Sequence, residues 1–385
     1  MKNIAVVTSN RAEYGLLTPL IKRIYEDNDL RLVLVVTGAH LSEKYGNTIE
    51  QIKNDGFPIA ATIPILEEGN TALDVSFAMA NALKGFSEYF YNDRPDLLVL
   101  LGDRTELLGI AAAAMNSNIP IVHLHGGEVT EGAVDDGVRH ALTKMSFIHF
   151  TDTDIYRNRV IQMGEHPSRV FNVGALSAEN ILNVPLMTEF EVRADIGIPE
   201  GKQYAVVTLH PETVDSLSPE KIANILCACM DKEEDTFFVI TASNSDVGGD
   251  VINSVFRCHA EKKTNVVFRH SLGMRRYLSA VKYSEYVIGN SSSGIVEAPI
   301  LGVPTVNIGN RQRGRIMTET IINAPFDMSS ICDAIISAHN VKRTPSTVYG
   351  EGNASEKMID IMKRILQNKI DLKKGFYDLK VFADQ

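Results

Sequence analysis

NIAVVTSNRAEYG, residues 3–15, decides how the rest of the chain is read. An apolar run without polar alternation, closed by a polar turn and followed at once by a helical pattern, is a strand buried on both faces that hands over to a helix. That is the opening of a parallel βα unit. The pattern returns in RLVLVVTG (31–38), LLVLLGD (97–103), IPIVHLHGG (119–127), FIHFTD (147–152) and VFNVGA (170–175). LSAENILNVPLMTEF (176–190), polar and proline-containing, interrupts it. It restarts with YAVVTLHPET (204–213), TFFVITASN (236–244), NVVFRH (265–270), YVIGNSSSG (286–294) and PTVNIG (304–309). At 385 residues the chain exceeds one ordinary core. The expectation is an α/β protein of two parallel-sheet domains: residues 1–175, a linker at 176–189, and a second domain over 190–365. Residues 366–385 carry no strong pattern and form a tail or an arm that packs back on the first domain. Two such domains imply a central cleft between them.

Composition narrows the function. The chain is 44% hydrophobic and 22% charged, and no apolar run reaches the eighteen or so residues a membrane helix needs. A formal charge of −10 argues against a nucleic-acid surface, so an anionic ligand has to be small and met locally. MKNIAVVTSN runs directly into a strand pattern with no small-residue cleavage site, from which a cytoplasmic protein is expected. Cys227, Cys229, Cys258 and Cys332 show neither metal-ligand nor disulfide spacing and read as free thiols.

In open α/β sheets ligands sit at the carboxyl ends of strands, and the unusual residues of this chain fall there. SNRAEYG puts Arg11 at one strand-to-helix junction and GDRTE puts Asp103 and Arg104 at another, where arginine forks suit phosphate oxygens. HPET sets His210 after a strand, either as a cleft residue or as a satisfied structural histidine. The stretch HLHGGEVTEGAVDDGVRH (123–140) gathers Glu128, Glu131, Asp135, Asp136, three histidines and an arginine. Two histidines spaced by two on a strand share a face; His125 is taken as the cleft-facing one and His123 as structural. GNSSSGIVEAP (289–299) offers hydroxyls and free N–H groups at a helix start, suited to a diphosphate; a plain serine N-cap is the alternative, but three serines exceed what a cap needs. Glu297, one turn in, either accepts from a ribose diol or lies on a solvated face. His125, Glu128 and Asp135 are of metal-ligand type, but no HExxH or comparable pairing is present and no metal is expected. GxSxG, GxxxxGK[ST] and GxGxxG are also absent, which removes support for covalent serine, P-loop and nicotinamide chemistry.

Taken in order, SNRAEYG, GDRTELL, HLHGGE with DDGVRHALTKMS, LHPET, the SNSD of ASNSDVGG, GNSSSGIVEAP and NIGNRQRGR resemble the UDP-N-acetylglucosamine 2-epimerase family over nearly the whole chain, and its hydrolysing branch most closely. The resemblance implies the GT-B type of fold, two Rossmann-like domains facing a cleft, and no metal or other cofactor. It implies release of N-acetylmannosamine and UDP from UDP-N-acetylglucosamine, through anti elimination to a 2-acetamido glycal and hydration. UDP-2,4-diacetamido-2,4,6-trideoxyglucose is the alternative substrate, and a non-hydrolysing epimerase or a GT-B glycosyltransferase the alternative activity. Carried over by position, Asp103 and Asp135 are the acid/base pair. Many members have a glutamate where this chain has His125, so that role falls to His125 itself or to Glu128. Arg11, Arg104, His210, Asn244, Ser271, Ser291, Ser292, Glu297 and Arg311 match UDP-holding positions, and His210 and the arginines suit the departing charge. Gly15 stands where some relatives have a serine, which removes one phosphate hydrogen bond. Relatives also imply a homodimer or homotetramer.

Overall fold

The computed structural model describes residues 1–69, 71–129, 134–211, 217–243 and 248–379. Two compact units divide the chain: residues 1–180 with 350–385, and residues 181–349. Among the described residues unit 1 holds the strands β1 (Lys2–Thr8), β2 (Leu30–Thr37), β3 (Ile59–Ile63), β4 (Leu97–Leu101), β5 (Ile121–Leu124), β6 (Ile148–Thr151) and β7 (Val170–Asn172), in the order β3-β2-β1-β4-β5-β6-β7. Unit 2 holds β8 (Gln203–Thr208), β9 (Thr236–Thr241), β10 (Val266–Arg269), β11 (Tyr286–Gly289), β12 (Thr305–Ile308) and β13 (Ile321–Ala324), ordered β10-β9-β8-β11-β12-β13. Neighbouring strands pair in parallel throughout. Each sheet is therefore the doubly wound, Rossmann-like arrangement, and in each the order reverses between its first and fourth strands.

The continuous apolar runs have a direct cause. Ile4 and Val6 of β1 enter one core with Leu97, Val99 and Leu101 of β4. Ala5 and Val7 enter the core on the other face with Leu98 and Leu100. Unit 2 repeats this, with Ala205 and Val207 on one face and Tyr204 and Val206 on the other. A strand covered on both faces needs apolar side chains at every position.

The sequence-based boundaries differ from this division in two places. The expected linker is partly helical: LSAENILN forms the helix Leu176–Asn183, and a second helix, Glu189–Ile196, begins after Pro185 with Thr188 and Glu191 in a reciprocal capping box. The helix Ala354–Leu366, expected in the second domain, belongs to unit 1. Ala354, Met358, Ile359 and Met362 join the core formed by Leu17, Leu20 and Ile24 of the helix Arg11–Glu26, and each large side chain so buried contributes about 1.5–3 kcal/mol. Polar contacts fix the same seam: Arg23 Nε donates to Ser355 Oγ (2.7 Å), the Ser355 N–H donates to Glu179 Oε2 (2.6 Å), and Lys363 bonds Asp27 (3.1 Å). Beyond that helix the chain runs along unit 1. Lys374 Nζ donates to the Lys144 and Ser146 carbonyls (2.8 and 2.7 Å) and pairs with the buried Glu165 at 2.8 Å; the Tyr377 N–H donates to the Gly164 carbonyl at 2.9 Å. No helix among the described residues is long and apolar enough to cross a membrane.

Candidate active site

Both sheets open their topological switch point with a glycine whose backbone excludes other residues. Gly102 (φ +85°) ends β4 and turns the chain so that Asp103 follows; Gly289 (φ +139°) ends β11, and a side chain there would run into the Thr208 carbonyl of β8. The residues presented at these strand ends, β1 with β4 in unit 1 and β8 with β11 in unit 2, are the candidate functional residues of each unit.

In unit 1, Asn10 caps the helix Arg11–Glu26, its side-chain oxygen accepting from the Ala12 and Glu13 N–H groups at 2.9 and 3.0 Å. This leaves the Arg11 side chain exposed at the helix start, where the dipole favours anions. Glu13 accepts from Ser9 N–H and Oγ at 2.8 and 2.9 Å. Burial lifts its carboxyl to about 7, against the pull of Ser9 and Arg104. Arg104 donates through Nε to Glu106 at 2.7 Å and lies 3.8 Å from Glu13. Asp103 accepts from Arg139, a nearly buried side chain that also donates to Asp136 Oδ1 at 3.0 Å. Arg11, Asp103, Arg104 and Asp135 line one cavity of about 640 Å³, large enough for a sugar. Asp135 stands exposed in the first turn of the helix Val134–Met145.

The end of β5 separates the two histidines. His123 is fully buried, its Nε2 2.8 Å from the Gly102 carbonyl, and burial pushes it down to about 3, so the ring is neutral and structural. His125 sits at φ +66°, a conformation that costs a non-glycine residue about 1–3 kcal/mol and commonly marks a functional position. Its Nδ1 lies 3.2 Å from Glu128 Oε1 and 3.8 Å from Asp152 Oδ2. Burial alone would lower its pKa, but Asp152 and Glu128 together lift it to about 9. Glu128, in spite of the desolvation that would raise it, is held low by the His125 charge; burial raises Asp152. These three are close enough together to surround a cation, and His125 supplies one positive charge beside the two carboxyl groups. The charge of Arg139 is felt by His125 and Glu128, so the arginine that binds Asp103 also borders this cluster.

In unit 2 the ends of β8 and β11 are tied reciprocally: the His210 N–H donates to Asn290 Oδ1 (2.7 Å) and Asn290 Nδ2 donates to the His210 carbonyl (2.9 Å). His210 Nδ1 is 3.2 Å from Ser243 Oγ. Arg311 and Gln312 donate to the Asn290 carbonyl at 3.3 and 2.9 Å. Ser291 caps the short turn Ser292–Ile295, while Ser292 is exposed and Ser293 keeps a buried hydroxyl with no hydrogen-bond partner among the described residues. The helical run expected through Glu297 is broken at Val296, and Glu297 starts a second turn, Glu297–Ile300. Burial raises its carboxyl, and its charge is felt by the buried Tyr277 hydroxyl, itself raised to about 12 first by burial. The Ser271 hydroxyl accepts from Gly273 N–H at 3.2 Å, in the turn that starts the helix Gly273–Tyr283. Asn244, expected to hold UDP, lies outside the described residues.

The structure thus brings Arg11, Asp103, Arg104 and Asp135 to one cavity and joins His125 to Glu128. Reading the sequence overlooked Asp152, Glu13 and Asn290. Asp152 and Asn290 follow strands directly, and that position was the available signal.

Two Rossmann-like units of the GT-B type thus carry a charged cavity at the switch point of unit 1 and hydrogen-bonded amide and hydroxyl groups at that of unit 2. The family model described as UDP-N-acetylglucosamine 2-epimerase matches residues 22–363, and the chain belongs to that family. It is similar to polysialic acid biosynthesis protein P7 of Escherichia coli, 37% identical with 98% of each chain covered. It is also similar to the GDP/UDP-N,N'-diacetylbacillosamine 2-epimerase (hydrolyzing) of Campylobacter jejuni, 36% identical with 85% of each covered. The crystal structure of UDP-GlcNAc 2-epimerase from Neisseria meningitidis bound to UDP-GlcNAc shares the fold, with a TM-score of 0.76 at 16% identity, covering 95% of this chain and 100% of that one.

Proposed function

We propose that the chain is a hydrolysing 2-epimerase that converts UDP-N-acetylglucosamine and water into N-acetylmannosamine and UDP. The observation that carries this reading is the unit 1 cavity, in which two carboxylates, Asp103 and Asp135, stand with two arginines, Arg11 and Arg104. H2 of such a sugar is poorly acidic. The C1–O bond therefore breaks first, UDP leaves with the electron pair, and the positive charge growing at C1 makes H2 removable by a carboxylate on the anti face. The product is a 2-acetamido glycal. Water then adds its oxygen to C1, giving up a proton to a base, and a proton returns to C2 from the opposite face, which inverts that centre. Asp103 and Asp135 act as the acid/base pair, and His125 with Glu128 supplies the further proton-transferring group. Arg11, Arg104, His210 and Arg311 oppose the charge on the departing diphosphate. Asn244, Ser271, Ser291 and Ser292 hold UDP, and Glu297 takes its ribose diol. The route uses no metal or other cofactor. The reading assigns the enzyme to the cytoplasm, as a homodimer or homotetramer.

A second reading, with UDP-2,4-diacetamido-2,4,6-trideoxyglucose as substrate, is favoured by the name of the Campylobacter jejuni relative. Assaying both UDP-sugars side by side, with NMR identification of the products, tests the two. Free manno-configured sugar and UDP are expected, and the larger kcat/KM names the substrate. Retention of the nucleotide on the epimerised sugar, or UDP release only when an acceptor is added, would refute the reading.

A further inference from the structure

Asp152 takes no part in the chemistry assigned so far, yet it is the acid most deeply placed beside it. It follows β6 directly, is only 5% exposed, and lies behind the end of β5, where the backbone is forced into the left-handed region to present His125. The ring meets Glu128 at 3.2 Å and Asp152 at 3.8 Å through the same nitrogen, Nδ1. Glu128 and Asp152 also hydrogen-bond each other, so the pair shares a proton. The other ring nitrogen, Nε2, is buried without a hydrogen-bond partner among the described residues. Buried polar atoms are rarely left so, and this one is available to a ligand.

We propose that Asp152 is a positioning residue for this proton-transferring cluster, clamping the His125 ring against Glu128 through Nδ1 and giving it a fixed countercharge. The charged neighbours bear this out. Against the lowering effect of burial, the charge of Asp152 raises His125, joined by the charge and hydrogen bond of Glu128; Arg139, on the helix Val134–Met145, opposes both, and His123 on β5 is uncharged. Above neutral pH Asp152 is ionised and holds the imidazolium in place. Its removal frees the ring to lose its proton earlier and to turn from Glu128.

The test is Asp152→Asn, which keeps the size and the hydrogen bond to Glu128 but removes the charge. In ¹⁵N-histidine protein the His125 ring, assigned by its loss in His125→Gln, should titrate near 9 in the wild type. In the variant the midpoint should fall by about one to three pH units. The alkaline limb of kcat against pH should move down with it, while UDP affinity stays unchanged, and Asp152→Glu should restore both. A residue with a merely structural role would lower the melting temperature without moving the midpoint. An unmoved midpoint in folded Asp152→Asn overturns the proposal, and so does a wild-type midpoint at or below about 6.5, the ordinary histidine value. The kinetic arm rests on the proposed reaction. If neither UDP-sugar turns over, that reaction fails, and the ring titration still decides the role of Asp152 by itself.

Discussion

At the switch point of unit 1 the ends of β1 and β4 carry Arg11, Asp103 and Arg104; at that of unit 2 the matching ends of β8 and β11 carry His210, Asn290 and Ser291. The strand order is the same apart from the seventh strand of unit 1, and both sheets have a positive-φ glycine at the end of the fourth strand, Gly102 directly after β4 and Gly289 as the last residue of β11. The polar groups differ in kind. Unit 1 presents carboxylates and guanidinium groups in ion pairs, Asp103 with Arg139 and Arg104 with Glu106. Unit 2 presents amides, hydroxyls and backbone groups in hydrogen bonds centred on Asn290, with one cation, Arg311, donating to the Asn290 carbonyl and no carboxylate among these bonds. A duplicated scaffold fixes where a ligand is met, and the side chains at its strand ends decide whether it is held or transformed. On the proposed reading, unit 1 moves protons and unit 2 holds the nucleotide.

Substitutions on the two sides should therefore fail differently. Asp103→Asn and Asp135→Asn keep shape and lose proton transfer, so each should lower kcat by roughly 10²- to 10⁴-fold with little change in UDP affinity by calorimetry. If both variants turn over normally, the division of labour is wrong. The smaller effect is expected in unit 2. Arg311→Ala removes a charge-assisted hydrogen bond worth about 1.5–3 kcal/mol, so the Kd for UDP should rise by about 10- to 100-fold while kcat at saturating substrate changes far less. A kcat loss as deep as that of Asp103→Asn would place Arg311 in the chemistry rather than in binding.

Much of this was legible in the sequence because a parallel sheet covered on both faces writes itself as uninterrupted apolar runs, and NIAVVTS and LLVLLGD needed no neighbours to be read. That Arg11, Asp103 and Arg104 line one cavity was legible for a related reason: in such sheets ligands sit at the carboxyl ends of the strands, which these residues follow. Alternation along HLH does not separate His123 from His125, since residues two apart on a strand share a face; the separation comes from the end of β5 at Leu124 and the left-handed backbone of His125. Long-range packing was not legible. Nothing local says that Ala354, Met358 and Met362 return to Leu17 and Leu20, since an amphipathic helix shows that it has an apolar face but not which core the face joins. Asp152 was missed for the same cause. It lies on a different strand from His125, and its importance comes from burial and a charged neighbour, neither of which its tripeptide TDT displays. The break at Val296 escaped because four-residue turns carry too little periodicity to be resolved.

In the proposed reaction the movement of a proton off and back onto C2 around a glycal belongs to Asp103, Asp135 and the His125 cluster. It is tested most directly by running the reaction to completion in D₂O, and separately in H₂¹⁸O, and examining sugar and nucleotide by NMR and mass spectrometry. The account predicts deuterium at C2 of a free manno-configured sugar and UDP without ¹⁸O, because C1–O cleaves and UDP departs intact. A product with protium at C2, or ¹⁸O in the phosphate of UDP, would contradict it.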